Sequence, residues 1–181
     1  MKSTIKRCIL NTKKMILCAL FAALTAVCSM ISIPLPFTPV PINLATLSVF
    51  LAGGLLGSRY GALSQLVYVL LGAIGLPVFH SFTGGLSILT GPTGGYIIGY
   101  IAAAWLIGFL IEKLGNDFYK IIISMIEGLI ICYTLGTLWF MYITSTGLTA
   151  ALMMCVVPFL IGDAIKIIAA AILVKRLHKL I

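Results

Sequence analysis

A carboxylate and an ammonium group stand inside an otherwise apolar segment, residues 158–174. Asp163 and Lys166 are three positions apart, so on a helix they share one face and can partly neutralise each other. A charged side chain at the centre of a membrane helix costs about 2.5 to 3.5 kcal/mol. One interpretation is a salt bridge that only locks a helix bundle. The interpretation that we favour is the polar floor of a cavity. Its ligand would carry hydrogen-bond donors and acceptors, with or without an anionic group.

A glycine-rich segment, GLPVFHSFTGGLSILTGPTGGY at 75–96, offers further polar groups. Glycines such as Gly84 and Gly85 allow close backbone approach, and the hydroxyls of Thr83, Ser87 and Tyr96 could line or close a pocket. The alternative is a loop that only packs on helix ends. Nucleotide binding is not predicted, because no G-K-[ST] follows the glycines. The same segment contains His80, which we interpret as a loop residue.

A second unusual segment, ISIPLPFTPVPIN at 31–43, places four prolines within eight residues. Proline fixes φ and lacks a donor, which predicts a stiff extended segment. It is either a lid over the same pocket or a rigid connector, and Asn43 brings an amide to the start of the following span.

The elements that must position these groups are membrane helices. The 181 residues are 61% hydrophobic and 9% charged, with a mean hydropathy of +1.20, which exceeds what one soluble domain can bury. We therefore expect an all-α integral membrane protein that forms one domain over residues 1–181. Six spans are predicted, at about 15–33, 42–57, 60–78, 94–112, 119–142 and 150–174. The first is expected to be an uncleaved helix, because its apolar run is too long for a signal peptide.

The basic residues predict the orientation. The formal charge of +8 does not indicate nucleic-acid binding, because Lys and Arg stand at the ends of the apolar runs and not on one solvated surface. Every Lys and Arg except Lys166 falls on one side of the six-span topology. Both termini are then cytoplasmic, with a basic segment at 1–14 and a basic tail at 175–181. Ser58 and Arg59 join the second and third spans in a tight hairpin.

Catalytic chemistry has little support in the sequence. Serine-elbow and H-E-x-x-H patterns are absent, and Glu127, inside the fifth span, has no assigned role. The cysteines at 8, 18, 28, 132 and 155 show no metal-ligand spacing, so we expect free thiols, no metal site and no cofactor. On the first span, small residues recur at a spacing that permits close helix contact, either within the bundle or with a partner protein; they are Ala19, Ala22, Ala23 and Ala26.

Taken together, four segments resemble the BioY family, the biotin-specific S-components of energy-coupling-factor (ECF) vitamin transporters. They are FTPVPIN, LAGGLLGSRYGALSQLVYVLLGAIGLPVF, GGLSILTGPTGGYIIGY and PFLIGDAIKIIAAAILVKRL, and the resemblance covers about residues 15–180.

The resemblance implies a six-helix subunit of a prokaryotic plasma membrane that captures biotin from outside. Asp163 and Lys166 would hold polar groups of biotin, while Thr83 and Tyr96 match loop positions of the family. Its partners would be a transmembrane coupling subunit, which docks on the alanines of the first helix, and two ATPase subunits. The chain itself would be no enzyme, because it has no Walker motif.

One position departs from the family pattern. Many members read P-V-P-x-T-x-Q after the prolines, whereas this chain has Asn43 and Ala45. The missing glutamine leaves open an S-component for another small vitamin or precursor. From a different class, a purely structural bundle, in which the charged pair only locks helices, is the second alternative.

Overall fold

The computed structural model describes residues 2–36 and 38–178, with backbone only for 2–11. The predicted helical character is confirmed. The helices are α1 (Lys2–Met30), α2 (Ala45–Ala73), α3 (Leu86–Thr90), α4 (Gly94–Leu114), α5 (Phe118–Thr144), α6 (Leu148–Cys155) and α7 (Leu160–Leu177). Two 3₁₀ turns lie at His80–Phe82 and Val157–Phe159. The basic segment 1–14 is therefore part of α1 from Lys2 onward, and the end of the predicted tail, 179–181, lies outside the described residues.

The proline-rich segment forms a β-hairpin, so the expectation of an all-α protein is corrected. Strand β1 (Ser32–Leu35) pairs antiparallel with β2 (Thr38–Asn43), with an irregularity between Ile33 and Leu35. Prolines are tolerated here because each strand of a two-stranded ribbon has a free edge that needs no donor. Thr38 and Val40 of β2 turn inward and are buried.

Helix α2 is a helical hairpin and not one straight rod. Gly57 has φ 78° and ψ −177°, a conformation open in practice only to glycine, and it divides α2 into arms at 45–56 and 58–73. The arms pack so closely that a Cβ on Gly61 would lie 3.1 Å from the Ala52 carbonyl oxygen. Glu112 of α4 holds the turn, because its carboxylate accepts from the Ser58 amide and hydroxyl at 2.9 Å each. The predicted reversal at Ser58–Arg59 is present.

The bundle packs around α4, which lies between α2 and α5. Close contact depends on small residues: a Cβ on Gly53 would lie 2.7 Å from the Ala104 carbonyl oxygen. One buried apolar cluster lies near the β-hairpin and includes Val40, Phe79 and Tyr100. A second buried cluster includes Phe50 and Val174. Among the described cysteines, Cys18, Cys132 and Cys155 are buried, and these three and Cys28 are free thiols as expected.

The last predicted span, 150–174, is not one continuous helix. Val156 has φ −125° and ψ −58°, and a 3₁₀ turn containing Pro158 separates α6 from α7. Proline causes the break, because it cannot donate the backbone hydrogen bond that a continuous helix needs. Helix α7 therefore begins at Leu160, and Asp163 stands in its first turn, where the helix dipole favours a carboxylate.

Four segments of the described chain are long and apolar enough to cross a membrane. They are Thr12–Met30, Gly94–Leu114, Phe118–Thr144 and Leu148–Leu177. Helix α2 is not among them; its first arm, 45–56, has a rise of only about 18 Å at about 1.5 Å per residue. The chain is thus a multi-pass membrane protein.

The turn at Gly57 gives a stability prediction. We expect Gly57→Ala to lower the free energy of unfolding by about 1 to 3 kcal/mol, because alanine is strained at this φ and its Cβ would lie 2.4 Å from Glu112 Oε1. Gly162→Ala is the matched control, since Gly162 is helical and its Cβ would enter open space. Thermal unfolding in detergent, followed by a dye that labels the buried cysteines, measures both. Equal unfolding temperatures for the two variants would contradict the assignment.

Candidate functional site

A cavity lies where the β-hairpin, α4, α5 and the start of α7 meet. Apolar side chains form part of its wall, among them Val40, Ile97 and Phe159. A concave, mostly apolar site with a few placed polar groups is typical of small-molecule binding.

Asp163 forms the polar floor of this cavity. Its side chain is buried, with 2% exposed, and both carboxylate oxygens accept hydrogen bonds. Oδ1 accepts from Lys166 Nζ at 2.8 Å and from Thr46 Oγ1 at 3.0 Å, while Oδ2 accepts from the Tyr133 hydroxyl. The carboxylate is thus held by groups from α2, α5 and its own helix.

Lys166 is fully engaged beside it. Besides Asp163 Oδ1, its ammonium group donates to the Asn43 carbonyl oxygen at 2.6 Å and to Thr46 Oγ1 at 3.0 Å. The Asn43 side chain accepts from the Ala45 amide at 3.1 Å and so stabilises the start of α2. Asn43 lines the cavity, as predicted, and its backbone carbonyl is what holds the lysine.

Hydroxyl groups line the facing walls. Tyr96 and Ser29 line the cavity. The Tyr96 hydroxyl is hydrogen-bonded to Thr137 at 3.0 Å, and Ser29 Oγ accepts from the Tyr68 hydroxyl at 3.0 Å, with Thr137 and Tyr68 behind the cavity wall. His80 Nε2 lies 3.5 Å from Thr93 Oγ1, and both residues line the cavity. His80 is therefore a loop residue, as interpreted from the sequence, and its ring also faces the candidate site.

The glycine-rich segment divides into two groups. Tyr96 joins Asp163, Lys166 and Asn43 at the cavity, whereas Thr83, Gly84, Gly85 and Ser87 do not line it. Thr83 donates to the His80 carbonyl at 2.7 Å, and Gly84 is pressed against the Leu76 carbonyl, where a Cβ would approach to 2.2 Å. Gly85 has φ 98° and precedes α3, and Ser87 is exposed on α3. Thr83 contacts His80, and contact of any of these four residues with a ligand stays a prediction.

Sequence reasoning missed Thr46 and Tyr133, which complete the polar floor. Tyr133 carried a signal that could have found it: tyrosine in membrane proteins is enriched at the interface, yet this residue falls well inside an apolar span. Thr46 carried none, because a threonine in the first turn of a helix is common.

The α1 alanines and Glu127, both considered in the sequence, lie away from the cavity. On α1, Ala22 and Ala26 are buried in the chain's own core, whereas Ala19 and Ala23 are exposed. Glu127 is exposed on α5. Within the described part of the chain, no group of three or more potential metal-binding His, Cys, Asp or Glu side chains is present.

Comparison with known proteins identifies the group to which this architecture belongs. The sequence matches the family described as "BioY family" over residues 1–181. The chain belongs to the BioY family. The resemblance found in its motifs is thereby confirmed.

Relatives of known name agree with the family assignment. The chain is 43% identical to the biotin transporter BioY of Thermotoga maritima over 93% of this chain and 97% of that protein. It is 36% identical to the biotin transporter BioY of Rhizobium etli, over 91% and 92%. It is also similar to a crystal structure of the S-component for biotin from an ECF-type ABC transporter, with a TM-score of 0.88, 33% identity, and coverage of 94% and 93%.

The position of His80 gives a pH prediction. Burial lowers the pKa of its imidazole below the ordinary 6.5, so the unfolded chain takes up this proton at higher pH than the folded chain. Stability is therefore lost as the pH falls from about 6.5 through the folded-state pKa. We expect the unfolding temperature of the wild type to fall more between about pH 7.5 and pH 5 than that of His80→Gln. Equal falls in unfolding temperature for the wild type and His80→Gln would contradict this assignment. Asp117 does not interfere, because Lys120 lowers the pKa of its carboxyl below 3.8, which lies beneath this pH window.

Proposed function

We propose that this chain is the biotin-binding S-component of an ECF-type uptake transporter. The observation that carries the proposal is the buried Asp163–Lys166 pair at the floor of the cavity, in a chain of BioY architecture. Biotin presents a ureido ring with two donors and an acceptor, an apolar thiophane ring and a carboxylate tail. A mostly apolar cavity with a floor that combines donors and acceptors suits such a ligand.

The cavity floor is assigned to ligand binding rather than to bundle locking alone. A buried ion pair seldom adds net stability, because desolvation offsets the Coulomb attraction. Here the pair borders open space instead of packed side chains, and Tyr96 and Asn43 face the same space. We assign Asp163, Lys166, Tyr96 and Asn43 to direct contact. Thr83, Gly84, Gly85 and Ser87 are assigned to the loop that closes over the ligand.

The departure at Ala45 does not favour another ligand. Ala45 is fully buried in the apolar cluster near the β-hairpin and does not line the cavity. The polar groups that meet at the cavity come from other positions, so biotin stays the assigned ligand.

The positions of the cations support the proposed topology. At one end of the bundle, Lys14 stands over the Tyr60 ring at 5.2 Å, and Lys175 stands over the Phe118 ring at 5.9 Å. The cavity lies towards the other end. With the positive-inside rule, this supports six spans in the plasma membrane of a prokaryote, with cytoplasmic termini and a cavity that opens outside. The two arms of α2 count as two of the six.

The chain is assigned as a binder and not as the motor. Uphill transport requires energy, and this sequence has no nucleotide-binding motif. A transmembrane coupling subunit and two ATPase subunits would supply it. We assign docking of the coupling subunit to the outward face of α1 with Ala19 and Ala23, while Ala22 and Ala26 pack against the chain's own core.

Binding is tested by equilibrium titration of the detergent-purified chain with radiolabelled biotin. We expect Asp163→Asn and Lys166→Met to weaken binding by roughly 10- to 100-fold, because each removes a charge-assisted interaction. Both variants should fold with a lower unfolding temperature than the wild type, because removing one member of a buried ion pair costs stability.

The chain contains a matched control for this titration. Asp117 and Lys120 form an exposed ion pair with the same spacing at the far end of the bundle, with 2.6 Å between Lys120 Nζ and Asp117 Oδ2. Asp117→Asn and Lys120→Met should bind biotin like the wild type. Folded wild type without saturable biotin binding would refute the proposed function, and wild-type affinity in folded Asp163→Asn and Lys166→Met would refute the site.

Docking is tested on α1. Ala23→Leu adds bulk to the outward face, and we expect it to reduce co-purification with the coupling subunit and ATP-driven uptake severalfold while biotin binding by the isolated chain is unchanged. Ala150→Leu, at an exposed position of α6, is the control and should leave both unchanged. Unimpaired uptake by Ala23→Leu would contradict the assignment of this face.

A further inference from the structure

Tyr133 of α5 stands between the ligand cavity and a second, apolar groove on the outer surface of the bundle. It lines the cavity together with Asp163, and it also lines the groove between α5 and α6 with Leu152 and Val156. Its ring is part of the wall between the two spaces. Its hydroxyl group, in contrast, is polar and sits at the cavity floor beside Asp163 Oδ2.

The direction of the Tyr133 hydrogen bond follows from its partner. Asp163 is ion-paired with Lys166 and, as a carboxylate, can only accept. The Tyr133 hydroxyl must therefore donate its single proton to Oδ2. The lone pairs of the hydroxyl oxygen then stay available, and no hydrogen-bond donor to this oxygen is found among the described residues.

The polar groups of the cavity floor can still accept hydrogen bonds from a ligand. Asp163 Oδ1 already accepts two hydrogen bonds, whereas Oδ2 accepts one. Lys166 uses its three N–H groups on Asn43, Thr46 and Asp163. Oδ2 and the Tyr133 oxygen thus form two adjacent acceptors, and the lysine can donate to a ligand only by giving up an internal bond.

We propose that the Tyr133 hydroxyl oxygen accepts a hydrogen bond from an N–H group of the bound ligand, next to Asp163 Oδ2, and selects for ligands with this donor. The inference rests on the proposed ligand site and deepens it. In biotin the donors are the two ureido N–H groups. A site built to pair with an N–H rejects analogues that lack it, because its own acceptor is then left unpaired.

The test is the variant Tyr133→Phe, which keeps the ring between cavity and groove and removes only the hydroxyl. Three ligands are titrated: biotin and the two cyclic carbamates in which one or the other ureido N–H is replaced by oxygen. We expect Tyr133→Phe to weaken biotin binding about tenfold and to lose about the same factor of discrimination against one of the two carbamates. Tyr119→Phe is the control, since Tyr119 is exposed at the far end of α5.

A purely positioning role predicts a different result. If Tyr133 only orients Asp163, the variant weakens biotin and both carbamates by the same factor, which would overturn the inference. Unchanged biotin affinity would overturn it as well.

NMR of bound ¹⁵N-labelled biotin gives a second readout at saturating ligand. One of the two ureido N–H proton resonances should move upfield in Tyr133→Phe, and two unmoved resonances would count against the contact. The result for Tyr133 is separable from the test of the ligand site itself, which depends on the biotin affinity of Asp163→Asn.

Discussion

The buried ion pair of Asp163 and Lys166 is the constraint on which the rest of the structure depends. Removing one member of such a pair typically costs 3 to 5 kcal/mol, because the other charge is left buried without compensation. The groups that compensate the two charges must therefore come from nearby elements. The end of β2 supplies the Asn43 carbonyl, α2 supplies Thr46 and α5 supplies Tyr133. Three elements are thus brought to one point by the need to satisfy two charges.

The irregular backbone of the protein gathers around the same point. A bilayer tolerates non-helical backbone only where protein or a water-filled cavity surrounds it. The β-hairpin and the turn between α6 and α7 both border the cavity, through Val40 and Phe159. The break at Pro158 also places Asp163 in a first helical turn, where the dipole of α7 favours its charge. These two departures from regular helices thus help to build the candidate site.

The opposite end of the bundle is organised by different forces. There Glu112 holds the turn of α2, and the cations of α1 and α7 stand over aromatic rings. Between the two ends, α4 packs on α2 and α5 through glycines and alanines, which allow close contact of backbones. The candidate ligand site and the proposed docking face of α1 are therefore separate surfaces of one bundle, as the proposed function requires.

The sequence by itself determined the membrane class, the tight hairpin at Ser58–Arg59 and the Asp163–Lys166 pair, because these depend on composition and on residues close in the chain. It also carried the family resemblance. Only the tertiary structure decided that Thr46 and the Asn43 carbonyl meet this pair, since they lie 117 and 123 positions away. The β-hairpin, the break before α7 and the inward turn of Ala22 and Ala26 were likewise decided by packing. Spacing along one helix defines which side chains share a face, but only the neighbouring helices define which face is buried.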